Sequence, residues 1–378
     1  MWGEIMKKKL LLTLTVLGAF AFAGCGKKTT KNTTKENTTA ITTKQNVTTK
    51  TNTTTKEDEV ISSIEYEQDN TIRHETKRNS KGVLLSLMSA YKGEGYTDYK
   101  YYAKQEMNYN SSNQLVKKTY YKYDEEKNEW VFNVMSEYTY NSENKEAVVT
   151  EYNYDDEAKE FKPNIRTTNY YANGKRVSYE YEKYNGEEFV YTSKYTYTYE
   201  GDNIKINLRQ VWSTSTSSWV NKSQSANTYE NNLMVSFIDY TWENDSWKKA
   251  ARGEVDYYPG TNNEKYYTYY EWSNSANDYI PYSKMYFEYD SEDRTILQLG
   301  SDYIDGEWIY DTKYETTYPY ADAETYESIT YNYNRTTNNW ENSYKYGYVF
   351  DELSGGCALS CGYKWDKTTE TWILEEYE

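Results

Sequence analysis

The chain has three Cys, one His and four Pro in 378 residues. Three Cys and a single His would all have to converge, Cys25 included, to make even one four-ligand Cys/His zinc site. The lone His74 leaves almost no room for a Ser-His-Asp or Cys-His nucleophile system. The hydrophobic share is 37%, below the ~45–50% of an ordinary globular chain, and much of it is aromatic: 48 Tyr, 11 Trp and 8 Phe. No stretch beyond the N-terminus keeps a helical period. The net charge is −16 and is unevenly spread. Residues 1–56 hold ten Lys against Glu4 and Glu36, while the remainder is strongly acidic. An acidic body repels phosphate backbones, which argues against a nucleic acid partner. A basic segment ahead of it suits an anionic membrane or wall surface.

Lys7-Lys8-Lys9 precede an apolar run, Leu10 to Gly24, that is too short to span a bilayer comfortably. The run ends Phe22-Ala23-Gly24-Cys25. This order of basic residues, short apolar stretch and small residues before a Cys marks a processed targeting segment. It resembles the lipobox of bacterial lipoproteins, with Phe22 in place of the usual Leu. The resemblance implies cleavage after residue 24, a lipid on the Cys25 sulfur, and an extracytoplasmic protein anchored to the cell membrane rather than spanning it. Residues 25–56 then form a Thr/Lys/Asn-rich tether with no aromatic residue. It has too little apolar surface to offset the entropy of ordering.

The rest of the chain is repetitive. An aromatic residue opens a strand just after a polar turn at Trp130, Phe161, Phe189, Trp219, Trp247, Tyr279, Trp308, Trp340 and Trp372, with an earlier copy at Tyr99. The mean period is about 30 residues, as expected of stacked supersecondary units. Each unit reads as two strands and two turns. Phe189-Val-Tyr-Thr-Ser-Lys-Tyr-Thr-Tyr-Thr-Tyr199 alternates with period two, so Phe189, Tyr191, Tyr195, Tyr197 and Tyr199 are expected on one face. Asn173-Gly174, Asn185-Gly186 and Asp305-Gly306 are tight-turn dipeptides. The predicted fold is all-β: tandem two-strand repeats of ~30 residues in an elongated, curved antiparallel meander, with the aromatics packed on its concave side. Residues 57–98 fit the repeat poorly and are expected to form an irregular N-terminal cap before a repeat domain over 99–378.

Lys194-Tyr-Thr-Tyr-Thr-Tyr199, Trp219-Val-Asn-Lys-Ser223 and Tyr289-Asp290 resemble the tandem Trp/Tyr-rich β-repeats of secreted and lipid-anchored bacterial proteins. They are more distantly similar to the Tyr-Asp repeats of Rhs-type surface proteins. The resemblance implies a surface-exposed all-β repeat protein with no defined activity.

Individual candidates for chemistry are weak. Cys357 and Cys361, four apart in a predicted strand, would sit about 13 Å apart, beyond the ~7 Å reach of a disulfide. His74 reads as an ordinary strand residue. The acidic turns, such as Asp124-Glu125-Glu126 and Asp155-Asp156-Glu157, lack the ligand spacing of a calcium loop and read as solvated turns. No cofactor or metal is implied, and a repeat array that places its carboxylates in equivalent turns gives no distinguished catalytic pair. The residues best placed to meet a ligand are the opening aromatics Trp130, Trp247, Trp308, Trp340 and Trp372. The function expected is non-enzymatic: a lipid-anchored scaffold for binding, adhesion or envelope structure, with an extracellular protein as ligand. The alternative is a Trp/Tyr ladder that stacks glycans.

Overall fold

The computed structural model describes residues 60–67, 72–92, 98–319, 325–351 and 356–377. Cys25 and the tether lie outside them. The described residues contain no helix, and so none long and apolar enough to cross a membrane. They form 22 strands. The first half comprises β1 (Ile61–Glu67), β2 (Ile72–Arg78), β3 (Leu84–Tyr91), β4 (Lys100–Tyr109), β5 (Leu115–Asp124), β6 (Glu129–Tyr140), β7 (Glu146–Asp155), β8 (Glu160–Ala172), β9 (Lys175–Tyr184), β10 (Phe189–Glu200) and β11 (Asn203–Ser213). The second comprises β12 (Ser218–Glu230), β13 (Leu233–Glu243), β14 (Ser246–Tyr257), β15 (Glu264–Ser273), β16 (Asp278–Tyr289), β17 (Thr295–Ile304), β18 (Glu307–Thr317), β19 (Tyr326–Asn334), β20 (Asn339–Asp351), β21 (Gly356–Asp366) and β22 (Thr371–Tyr377). Each strand pairs antiparallel with the next, from β1–β2 to β21–β22. The result is one open up-and-down meander. β21 comes within 8 Å of β3 between Cα atoms, although β4 to β20 separate them along the sheet, so the sheet curves back on itself without closing.

The turns follow from local chemistry. In the longer ones a residue with φ near +50°, Asn128, Lys159, Ser217, Asn277, Asn338 or Glu370, lies two places before the opening aromatic. The residue that starts each turn holds it from within. Asp155 Oδ1 accepts the amides of Glu157 and Ala158 at 3.0 and 2.9 Å, and Asp124 Oδ1 accepts that of Lys127 at 3.0 Å. The acidic turns are thus self-bonded Asx turns. Asn173-Gly174 and Asp305-Gly306 form two-residue loops with both φ values positive, the geometry that matches the twist of a hairpin. Asn185-Gly186 instead opens a four-residue turn closed by Asn185 N–H to the Glu188 carbonyl at 3.0 Å.

The strands depart from plain alternation in one systematic way. In every opening strand from β4 to β22 the third residue after the opening aromatic is unpaired: Asn133, Asn164, Thr192, Lys222 and Ala250 are examples. A bulge of this kind adds one residue to one strand, sharpens the twist, and switches which face later side chains occupy. The aromatic run in β10 therefore does not share a face. Phe189 packs on Tyr184, ring centroids 5.4 Å apart, whereas Tyr195 stacks on Tyr179 at 4.9 Å. Tyr179 and Tyr184 are five residues apart on the regular strand β9 and point opposite ways. The aromatics are consequently divided between both faces, not gathered on one. A second bulge, at Val116, Ala147, Val177, Lys205, Val235 and their equivalents, starts the following strand.

Residues 57–98 contribute β1–β3 to the same meander. Their Ile72, His74, Leu87 and Ser89 are fully buried, and the His74 ring meets the Ser89 hydroxyl at 2.9 Å. Elsewhere the core is shallow. Gly253 lets the Phe237 ring lie flat across its backbone: a Cβ there would come within 2.2 Å of that ring.

Gly253→Ala should therefore destabilise the sheet by about 1–3 kcal/mol, the usual cost of overpacking, with the loss relieved by a second change, Phe237→Leu; denaturant midpoints of the two variants check this. Proton chemistry gives another test. The amides of its own turn and the Lys162 ammonium at 2.5 Å hold the Asp155 carboxyl down at about 2. The turn's stabilisation is complete above the ordinary value of 3.8 and is lost as the pH falls through about 2. Titration of that carboxyl by NMR should find its midpoint well below the unpaired acids of neighbouring turns.

Candidate functional site

The first bulge decides where the opening aromatics go. Before it, they face the closing aromatic of the preceding strand across the turn. Trp130 meets Tyr123, Trp247 meets Trp242, Trp308 meets Tyr303, Trp340 meets Tyr333 and Trp372 meets Trp365, with centroids 4.9–5.1 Å apart and planes inclined by 61–69°. Phe161, Phe189, Trp219 and Tyr279 do the same with Tyr154, Tyr184, Trp212 and Trp272. Each pair is an edge-to-face clasp at a non-hydrogen-bonded end of a hairpin, worth roughly 0.5–1.5 kcal/mol beyond its area burial.

The five Trp residues anticipated as ligand contacts therefore occupy one row on one face, on β6, β14, β18, β20 and β22, in which consecutive clasps are two strands apart, or about 9.6 Å at ~4.8 Å per strand. They do not touch one another. Some clasps are linked by an aromatic two places after the opening one, a role that sequence reading overlooked; at Pro163, Asn221, Lys249, Pro281 and Asn342 the equivalent position carries no ring. Tyr101 packs on Tyr123 and Trp130, Phe132 on Tyr154 and Phe161, Tyr191 on Trp212 and Trp219, and Tyr310 on Tyr333 and Trp340. The pattern aromatic-x-aromatic after a turn is its sequence signal. The strip stays partly open to solvent: Phe132 is 39% exposed, Tyr191 38%, Trp308 39% and Tyr310 48%.

Beyond the bulge, the same face carries a polar ladder. Five and seven places after the opening aromatic stand a cation and a carboxylate, with a Tyr beside them on the next strand. Lys104 pairs with Glu106 at 3.3 Å, lies 4.0 Å over the Tyr121 ring, and Tyr121 donates to Glu106 at 2.7 Å. Arg252, Glu254 and Tyr270 repeat this, as do Lys313, Glu315 and Tyr331. Burial and the bond to Glu315 push the Tyr331 phenol up to about 12, while Lys313 and Tyr331 hold Glu315 below its ordinary value. These cations are engaged with rings and carboxylates rather than presented as a basic patch.

The opposite face is aromatic at the other border. Ten places after the opening aromatic, Tyr140, Tyr199, Tyr229, Tyr257 and Tyr318 donate their phenols to the carbonyls of Leu115, Arg176, Ile204, Met234 and Thr295 at 2.8–3.1 Å. The receiving residue stands just before the second bulge, where the ladder is interrupted. These phenols staple neighbouring strands at the end where no turn joins them. On that face burial pushes the Asp239 carboxyl up, against the Ser225 hydroxyl bond that lowers it.

Among the described residues, no three His, Cys, Asp or Glu side chains converge as a metal site would need. The register places Cys357 opposite Phe350 and Cys361 opposite Gly347; their side chains lie outside the described residues. One surface hollow of about 330 Å³ lies over β19–β21 on the face opposite the clasps, lined by the side chains of Asn332, Asn334, Glu341, Ser343, Lys364 and Lys367.

No known protein family matches the chain, and no curated protein does. Among solved structures it is similar to a DUF3836 family protein from Bacteroides vulgatus at 19% identity, over 31% of this chain and 90% of that one, with a TM-score of 0.18. A porin-like protein from Bacteroides uniformis shows 10% identity over 61% of this chain and 91% of that one, TM-score 0.29. TcdB2-TccC3 shows 10% identity over 80% of this chain and 20% of that one, TM-score 0.28. The overlays are slight, and the site is read from this chain's own residues.

The clasps predict a spectroscopic mark. Trp242–Trp247 should give an exciton couplet in far-UV circular dichroism that weakens in Trp247→Ala. A double-mutant cycle on the pair should return a coupling of about 0.5–1.5 kcal/mol.

Proposed function

We propose that this protein is a non-enzymatic binding scaffold, lipid-anchored through Cys25 at a bacterial envelope and held away from the membrane by its Thr/Lys/Asn-rich tether. The observation that carries the binding role is the aromatic strip. Nine clasps run along one border of one face, and the rings between them keep a third to a half of their surface in water. A long row of partly wet aromatics, bridged ring to ring at Phe132, Tyr191 and Tyr310, suits an interaction surface. Tyr and Trp suit such a surface because they give large contact area at low side-chain entropy. The repeat makes the surface long, which favours an extended ligand, such as a fibrous protein or a polymer, over a small metabolite. The even spacing of the clasps also supports a second reading, in which the rings stack successive sugars of a glycan.

Anchoring and binding are tested separately in bacteria making the full chain. Cys25→Ala should abolish incorporation of a labelled fatty acid and move the protein from the membrane to the soluble fraction. Trp308→Ala/Tyr310→Ala, at the most exposed part of the strip, should keep the lipid and the strand-type circular dichroism yet reduce attachment of the cells to fibronectin-coated surfaces or purified wall sacculi by several-fold. Equal attachment of variant and parent to both would remove the strip from the binding role.

A further inference from the structure

The two faces of the sheet treat charge differently. On β9 and β10 the clasp face buries Glu180 and Glu182, and each carboxylate has its cation, Lys194 at 2.9 Å and Arg166 at 2.6 Å. The opposite face of the same stretch has cations without carboxylates. The register puts Arg176, Tyr179, Tyr181 and Lys183 of β9 on it, with Tyr195 of β10 and Arg209 of β11. No Asp or Glu stands on this face of β9 to β12. Three rings form its centre. Tyr195 stacks on Tyr179 at 4.9 Å with planes 15° apart, and Tyr181 meets Tyr179 edge-on at 5.3 Å and 86°. The cations surround them. The Arg176 guanidinium lies 4.7 Å from the centre of the Tyr179 ring, Lys183 stands exposed two places beyond Tyr181, and Arg209 is directly opposite Tyr195. Among the described residues Arg209 makes no ion pair, ring contact or side-chain hydrogen bond, and its Nε is buried. Partial desolvation of an unpaired guanidinium costs free energy, and nothing in the packing of β10 to β12 offsets it.

We infer that this face of β9–β11 is a binding site for an acidic glycan, with Arg209 taking the carboxylate of a uronic acid unit and the tyrosines around it taking the sugar. The site shares no side chain with the aromatic strip, so it extends the reading of the chain as a binding scaffold to the second face. A guanidinium presents paired N–H groups that match the two oxygens of a carboxylate, and it stays charged at any working pH. Phenols and the hydroxyls of Ser193, Ser223 and Ser225 on the same face both donate and accept, as sugar hydroxyls do. Burial raises the Tyr179 and Tyr181 phenols, which keeps them neutral and able to donate. Tyr181, 37% exposed, offers ring surface to the C–H groups of a sugar. Two features favour an acidic sugar over a nucleic acid strand. Bases stack on free ring faces, and Tyr179 and Tyr195 already use theirs on each other. Past β12 the same face turns acidic, with Asp239 and Glu271, so a phosphodiester chain running along it would soon meet like charge.

The full chain, in a sugar-free detergent, is titrated by calorimetry with tetragalacturonate, its methyl ester and an oligothymidylate of similar charge. The expected result is saturable binding of tetragalacturonate, weakened tenfold or more by methyl esterification, by Arg209→Gln and by Tyr181→Ala. Arg209→Lys keeps the charge without the paired N–H groups and should fall between. Lys117→Gln removes a cation from the clasp face and should bind as the parent does. Because Arg209 has no partner to lose, Arg209→Gln should keep the parent's thermal midpoint and strand-type circular dichroism. No binding of tetragalacturonate by the parent, equal binding of its methyl ester, or undiminished binding in Arg209→Gln overturns the site. Tighter binding of the oligothymidylate overturns it in favour of a general polyanion surface. Trp308→Ala/Tyr310→Ala should leave tetragalacturonate binding unchanged, and a loss there would move the glycan to the strip and overturn this site. Arg209→Gln should in turn leave attachment through the strip unchanged, so each reading can fail without the other.

Discussion

The structure depends on the β-bulge three residues after each opening aromatic. A strand of strict period two puts all its aromatics on one side. A single sheet with every aromatic on one face would carry one greasy surface and one wholly polar one. The extra residue breaks this by moving the side chains that follow it to the other face. Phe189 and Tyr191 end in the clasp row, whereas Tyr195, Tyr197 and Tyr199 end on the reverse. Each face thus has an aromatic border and a polar border, with the two aromatic borders at opposite ends of the strands. The same bulges strengthen the twist, which accounts for a sheet that brings β21 back beside β3.

This arrangement suits a chain poor in aliphatic residues. Among the described residues no second layer packs along the sheet, and few side chains are fully buried outside β2 and β3. Stability is built from contacts between neighbouring strands. The clasps join hairpin strands at the turn end, and the phenol bonds of Tyr140, Tyr199 and Tyr257 join strands at the end that lacks a turn. Tyr serves both roles, since its ring packs while its hydroxyl reaches a carbonyl or a carboxylate. The Lys/Arg–Glu–Tyr ladder extends this logic to the polar border. There Lys313 is shared between the Tyr331 ring and the Glu315 carboxylate, so an acidic protein keeps its cations inside its own sheet.

The binding surface proposed here is a by-product of the same design. A clasp hides one side of each ring and leaves another in water. Repetition sets consecutive clasps about two strand spacings apart, and the side chain at the bridging position decides whether a ring spans the gap, as at Tyr310, or not, as at Asn221 and Asn342. A repeat that is structurally uniform can therefore vary its surface through one position per unit.

The 30-residue period, the strand type, the turns and the positions of the opening aromatics were all legible in the sequence. Each is a local property, set by side-chain alternation and by Asn, Asp and Gly at positive φ. The pairing of Trp130, Trp247, Trp308, Trp340 and Trp372 with the closing aromatic of the preceding strand lies close to that local level, since a turn of known length sets opposite neighbours. The face assignment of Tyr195 to Tyr199 was not legible, because an unpaired residue such as Thr192 looks like any other in an alternating run. Only the register between strands shows that one residue has been skipped. The phenol-to-carbonyl staples and the Lys–Glu–Tyr ladder depend on that register as well. They join residues that adjacency in the folded sheet brings together and that separation along the chain keeps apart.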